Sequence, residues 1–117
     1  MEIKLRHDLI NFLIKKFDLK NYLEIGVDNG FNYNKIICET KHSVDPVLGQ
    51  YTHARPTHEM TSDEFFEKHA KNYAPFDIVF IDGLHHSDQV DKDIENSIKF
   101  LTDGGFIILH DCNPLEE

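Results

Sequence analysis

The sequence predicts an α/β fold, an open parallel sheet with helices on both faces, and three observations carry that prediction. Tyr22-Leu23-Glu24-Ile25, Phe76-Asp77-Ile78-Val79-Phe80-Ile81 and Phe106-Ile107-Ile108-Leu109 are short, nearly continuous apolar runs, the pattern of strands covered on both faces. Each ends in turn chemistry or polar residues: Gly26 to Gly30, Asp82-Gly83, and His110-Asp111-Cys112-Asn113-Pro114. Helical patterns lie between the runs, and strands alternating with helices imply parallel crossovers. Such sheets bind ligands outside the C-terminal ends of their strands.

Taken in order, Leu9, Phe12, Leu13 and Phe17 recur at spacings of three and four, which predicts a helix from about Leu5 to Phe17 with those residues on the sheet. Asp18 to Asn21 connects it to the first strand, Tyr22 to Ile25. A second helix is expected from about Phe31 to Glu39, with Ile36 and Ile37 on the face of Tyr33 and Cys38 as a core thiol. His42-Ser43-Val44-Asp45-Pro46 reads as a second short strand ended by proline. The segment 47–56 reads as a loop, and His58-Glu59-Met60 as a third strand. Thr61-Ser62-Asp63-Glu64 has the form of a capping box, opening a helix through about Lys71. Phe76 to Ile81 is the fourth strand. Ser87 caps a further helix, with Asp88 and Asp91 at its positive end and Val90, Ile94, Ile98 and Leu101 as its apolar stripe. Asp103-Gly104-Gly105 ends that helix, and Phe106 to Leu109 is the fifth strand.

With 117 residues the chain is one domain, long enough to bury roughly 65 % of its unfolded surface. Its net charge of −9 leaves no basic stripe for duplex nucleic acid. No apolar run reaches membrane-spanning length and Met1-Glu2-Ile3-Lys4 is not a signal peptide, so the expected location is cytoplasmic, with no membrane partner. Cys38 and Cys112 lack the C-x-x-C spacing, and eight histidines show no zinc pattern. Most histidines are expected at the surface or behind a site.

The acids at the strand ends are the candidate site: Glu24, Asp45, Asp82 and Asp111. A strand, a glycine turn and a helix start bring backbone close to a ligand and aim N–H groups at it. Glu24 beside that turn suits a cation or hydroxyl groups. Asp45 follows Glu24 by 21 positions, about the separation at which doubly wound folds place an acid on ribose hydroxyls; the other reading is an Asp-Pro turn. The dinucleotide fingerprint G-x-G-x-x-G would need glycine where Asp28 stands, which disfavours a nicotinamide cofactor.

Glu24-x-Gly26-x-x-x-Gly30 resembles motif I of the class I S-adenosylmethionine-dependent methyltransferases. Phe76 to His86, Gly104-Gly105 and Ile107-Ile108-Leu109-His110-Asp111 resemble the branch with I-D-G-x-H after the fourth strand and H-D after the fifth, similar to metal-dependent O-methyltransferases. The likeness covers about residues 20 to 114. It implies one Rossmann-like domain over residues 1–117, about five strands in the order 3-2-1-4-5, and S-adenosylmethionine as cofactor. Glu24, Gly26, Asp28, Gly30, Asp45 and Asp82 are then the cofactor residues. Asp82 and Asp111 are candidate magnesium ligands, since a hard cation prefers oxygen and acidifies a bound hydroxyl. Asp82, His85 and Asp111 face the acceptor, and the catalytic candidates are Asp82 with His85 and His110, the histidines as candidate general bases. Adenine contacts near Thr61 to Glu64 are a further implication.

The expected activity is methyl transfer to a hydroxyl of a small molecule or sugar. The alternatives are a cofactor-binding module without transfer (a subunit, regulator or remnant) and an enzyme that cleaves the cofactor. The family continues past the fifth strand into an antiparallel pair, so the domain is expected to be C-terminally short. A homo-oligomer covering the open edge of the fifth strand is an expected consequence.

Overall fold

The computed structural model describes residues 6–27, 30–46, 55–82 and 88–110. They form four parallel strands, β1 (Asn21–Ile25), β2 (Thr40–Val44), β3 (Phe76–Ile81) and β4 (Leu101–Leu109), in the order β2-β1-β3-β4. The helices are α1 (Arg6–Phe17), α2 (Phe31–Lys35), α3 (Ser62–Glu64) and α4 (Asp88–Lys99). The expected third strand is reduced to a single parallel bridge between His58 and Val44, on the outer side of β2. The predicted order is therefore present, with its outermost member one rung long.

Side chains alternate across the sheet, so each strand feeds two cores. Leu23, Ile25, Val79 and Ile81 pack with Phe65 and Phe66 on the face covered by α3 and α4. Tyr22, Ile78 and Phe80 pack with Ile10, Ile14, Tyr33 and Ile36 on the face covered by α1 and α2. The strand starts are stapled: the Asp77 carboxylate accepts the Lys20 and Asn21 backbone N–H groups at 2.8 and 2.9 Å. Asn21 in turn donates to the Tyr73 and Pro75 carbonyls.

The helices depart from the sequence expectation in physically specific ways. In α1 the buried residues are Ile10 and Ile14, one i,i+4 pair, while Phe17 is 50 % exposed and lies against Phe106. Helix α2 stops four residues early because the Asn11 side chain takes over its end, donating to the Lys35 carbonyl and accepting from Ile37 N–H. Ile36 is then extended and buried, Ile37 is 77 % exposed, and Cys38 is a half-buried thiol outside any helix. Thr61 caps α3 as expected, accepting from the Glu64 N–H. The helix continues as a π-type turn, Phe65–His69, and a 3-10 turn, Ala70–Asn72. In α4, Val90 and Ile94 reach the core but Ile98 is 59 % exposed, and the buried positions are Asp93 and Ser97. Asp93 accepts from Ser62 Oγ at 2.6 Å and Gln89 Nε2 at 3.0 Å, tying α4 to α3.

Asp103-Gly104-Gly105 does not end a helix. It forms a bulge inside β4, where Phe76 pairs with Leu101 but Ile78 pairs with Phe106. Gly104 has φ +78°, and a Cβ on Gly105 would lie 2.8 Å from Leu101 and 2.9 Å from the Asp77 carbonyl. Among the described residues no helix is long and apolar enough to cross a membrane. Gly105→Ala should destabilise the fold by about 1–3 kcal/mol through overpacking, against about 1 kcal/mol for Gly104→Ala, whose strain is in the backbone alone. Urea denaturation of the two variants checks this ranking, and equal midpoints would refute it.

Candidate functional site

Strand register builds the site. Val44, Ile25, Ile81 and Leu109 are partners across the sheet, so all four strands end in one row. The residues that follow, Asp45, Gly26, Asp82 and His110, form the next row. Its backbone rungs continue the ladder: Gly26 N–H to the Val44 carbonyl, Asp82 N–H to Ile25 and His110 N–H to Ile81, at 2.9, 2.9 and 3.0 Å. Of the expected site residues, this brings Gly26, Asp45, Asp82 and His110 side by side, with Glu24 one step inside β1. Asp28, His85 and Asp111 lie outside the described residues, as do His86, Ser87 and Cys112.

Gly26 is fixed by sterics. Its φ is +89°, and a Cβ there would stand 2.5 Å from the Asp82 carbonyl oxygen. Val27 N–H then donates to Asp45 Oδ2 at 2.8 Å, so the buried Asp45 carboxylate closes the turn from the neighbouring strand. Gly30, at φ +90°, closes the other end by donating to the Val27 carbonyl and starting α2. Asp45 thus has a structural partner that sequence spacing did not disclose.

Glu24 is 1 % exposed, and its Oε1 accepts from Tyr22 Oη at 2.5 Å and Asn32 Nδ2 at 3.0 Å. Burial pushes its carboxyl up to about 7; the two hydrogen bonds oppose that shift, as does the charge of Arg6, while Asp82 adds to it. Burial also holds the Tyr22 phenol well above its ordinary value, aided by Glu24, so the proton stays on tyrosine. Asn32 is buried too, and its Oδ1 has no hydrogen-bond partner among the described residues. One buried acceptor that calls for a donor, Asn32 Oδ1, thus sits beside the Glu24 carboxyl next to the glycine turn.

Tyr22, Asn32 and Arg6 were not singled out in the sequence. Tyr22 was within reach, because residues two apart in a strand share a face. Arg6 was not: its NH1 donates to His110 Nε2 at 3.1 Å across 104 positions. Arginine has no acceptor, so Nε2 is the accepting atom in this contact. Among the described residues no group of three or more His, Cys, Asp or Glu side chains could hold a metal. His42 and His58 lie elsewhere, in an aromatic cluster with Phe65, Tyr73 and His69 at the outer edge of β2, and burial lowers both pKa values. An open cavity of about 380 Å³, lined by Asn11, Lys15, Lys20 and Ile37 among others, faces the opposite end of the sheet.

A carboxyl raised by burial costs stability above its unfolded value. The penalty is absent below pH 4.5, grows as pH rises, and is complete above about 7. Glu24→Gln should therefore gain on the native chain between pH 5 and pH 8, by on the order of 1–3 kcal/mol, in urea denaturation. Parallel pH profiles for the two proteins would sink the assignment.

Residues 23–112 match the methyltransferase domain family. No curated protein matches the chain. Among solved structures, one protein from Staphylococcus aureus assigned as a caffeoyl-CoA O-methyltransferase superposes with a TM-score of 0.68 at 22% identity. That match covers 93% of this chain and 58% of the other. MycE methyltransferase of the mycinamycin biosynthetic pathway, in complex with Mg, SAH and mycinamycin VI, gives a TM-score of 0.64 at 20% identity, covering 88% of this chain and 33% of MycE. A further MycE complex with Mg and SAH gives 0.64 at 19% identity, over 88% and 30%. The chain thus spans from under a third to somewhat over half the length of these structures. Since the family match takes in well over half of its residues, the chain belongs to the methyltransferase domain family, and its fold is that of the class I S-adenosylmethionine-dependent methyltransferases.

Proposed function

We propose that the strand-end row binds S-adenosylmethionine and that the protein transfers its methyl group to a hydroxyl of a small molecule or sugar. The observation that carries the proposal is the Gly26 turn closed by Asp45 and backed by the buried Glu24 carboxyl and by Asn32, whose buried Oδ1 has no donor among the described residues. An α-ammonium group fits that demand. Glu24 and Asn32 would hold the ammonium, Gly26 and Gly30 admit the amino-acid chain, and Asp45 takes ribose hydroxyls while it braces Val27. Asp28 and Asp82 complete the expected cofactor set.

The bound cofactor supplies an electrophilic methyl on a sulfonium, so the protein's task is to hold an oxygen in line and remove its proton. Asp82, beside Gly26 at the end of β3, is placed to orient the acceptor. His85 and His110 are the candidate bases, His110 with its Nε2 on Arg6. The MycE complexes contain Mg, which supports extending the proposal to a magnesium ion on Asp82 and Asp111. Among the described residues Asp82 alone is at hand for it, and no step here runs through the ion. We also propose a second copy against the edge of β4, which is unpaired among the described residues and where Leu109 is exposed. The second reading is a cofactor-binding unit without transfer, favoured by the side-chain hydrogen bonds of the turn, in each of which the acceptor is Glu24 or Asp45 of the cofactor set.

Calorimetric titration with S-adenosylmethionine and S-adenosylhomocysteine tests the site, and both should bind. Asp45→Ala should weaken binding by about 1–3 kcal/mol. Pairing an ammonium with a carboxyl that titrates near 7 ionises it, so affinity should rise from pH 6 to pH 8 with proton release. A folded chain that binds neither compound would overturn the proposal; binding without turnover on any hydroxyl acceptor would leave the second reading.

A further inference from the structure

We infer that Arg6 reads the carboxylate of the cofactor's amino-acid end, making the first turn of α1 part of the binding site. The inference rests on the cofactor reading above and extends it to an element outside both the motif and the matched residues 23–112. Arg6 is fixed over the strand ends by its bond to His110 Nε2 at 3.1 Å. The neighbouring His7 ring meets Phe31, the residue after Gly30, edge-on at 5.8 Å, so the same turn of α1 is fastened to the glycine turn as well. The Arg6 charge also reaches Glu24, where it favours the ionised carboxyl.

An amino-acid zwitterion needs acceptors and donors side by side. Glu24 and Asn32 Oδ1 are the acceptors for its ammonium. Arg6, held at the end of β4 by His110 and near enough for its charge to act on Glu24, supplies the donor. A guanidinium has five N–H donors in a planar fork, more than the His110 contact uses, and that fork matches a carboxylate. The pairing explains how a site built around acids accepts a ligand that carries a carboxylate: without Arg6, Glu24, Asp45 and Asp82 would all repel it.

The test compares S-adenosylmethionine with its decarboxylated form, which keeps the ammonium, sulfonium and adenosine. The native chain should bind S-adenosylmethionine about tenfold more tightly. Arg6→Ala, folded by circular dichroism, should lose that preference while its affinity for the decarboxylated compound stays within about twofold. Arg6→Lys, which keeps the charge and loses the fork, should fall between. Equal affinity of the native chain for both compounds, or a preference that survives Arg6→Ala, overturns the role of Arg6 and leaves the cofactor site standing. Failure of the native chain to bind either compound removes the site itself, and this proposal with it.

Discussion

Parallel pairing in one register is the constraint on which everything else in the molecule depends. Because Ile25 is opposite both Val44 and Ile81, and Ile81 opposite Leu109, the strands end together in one row. The closeness of Gly26 to the Asp82 carbonyl is a direct result, and so is the reach of Asp45 to Val27. A slip of one residue would reverse the face of every side chain on the slipped strand, burying polar groups and exposing core. The fit of the hydrophobic layers therefore holds the site in place, with Tyr22 belonging to both the core and the site.

Glu24 shows how the site and the core are balanced. It occupies a strand position facing the Tyr22, Ile78 and Phe80 layer, where an apolar residue would be the stable choice. Two hydrogen bonds to one oxygen reduce the penalty without removing it, as the raised pKa records. A carboxyl kept there at a cost in stability is what the cofactor role proposed for it would require.

The strands were legible because buried runs of Val, Ile, Leu and Phe leave few other readings, and turn residues marked their ends. The acids followed, since their places are counted from the strand ends. What was not legible is set by distant residues. Helix α2 is cut short by Asn11, 24 positions from the Lys35 carbonyl it caps, so no local pattern around Ile36 and Ile37 could announce the stop. The glycines of β4 gave a helix-end signal that pairing with β3 overrode, because Phe76 and Ile78 draw Leu101 and Phe106 into one strand. The α4 stripe held at Val90 and Ile94 and failed at Ile98, while Asp93 is buried by bonds to Ser62 and Gln89 that hydrophobic periodicity does not register. Arg6 belongs to the same class, joined to His110 only by the finished fold.

The Asp77 staple between β1 and β3 has a consequence for how binding and folding are linked. It joins residues 57 positions apart, and no pair of strands in this sheet is made by a local hairpin. Closing such loops has to be achieved before the strand-end row exists at all. A partly folded chain holds helices but no Gly26 against Asp82 and no Asp45 on Val27, so it presents nothing for a cofactor to grip. Ligand therefore acts on the native state alone, and whatever affinity the row has is transmitted undiminished to the stability of the entire domain.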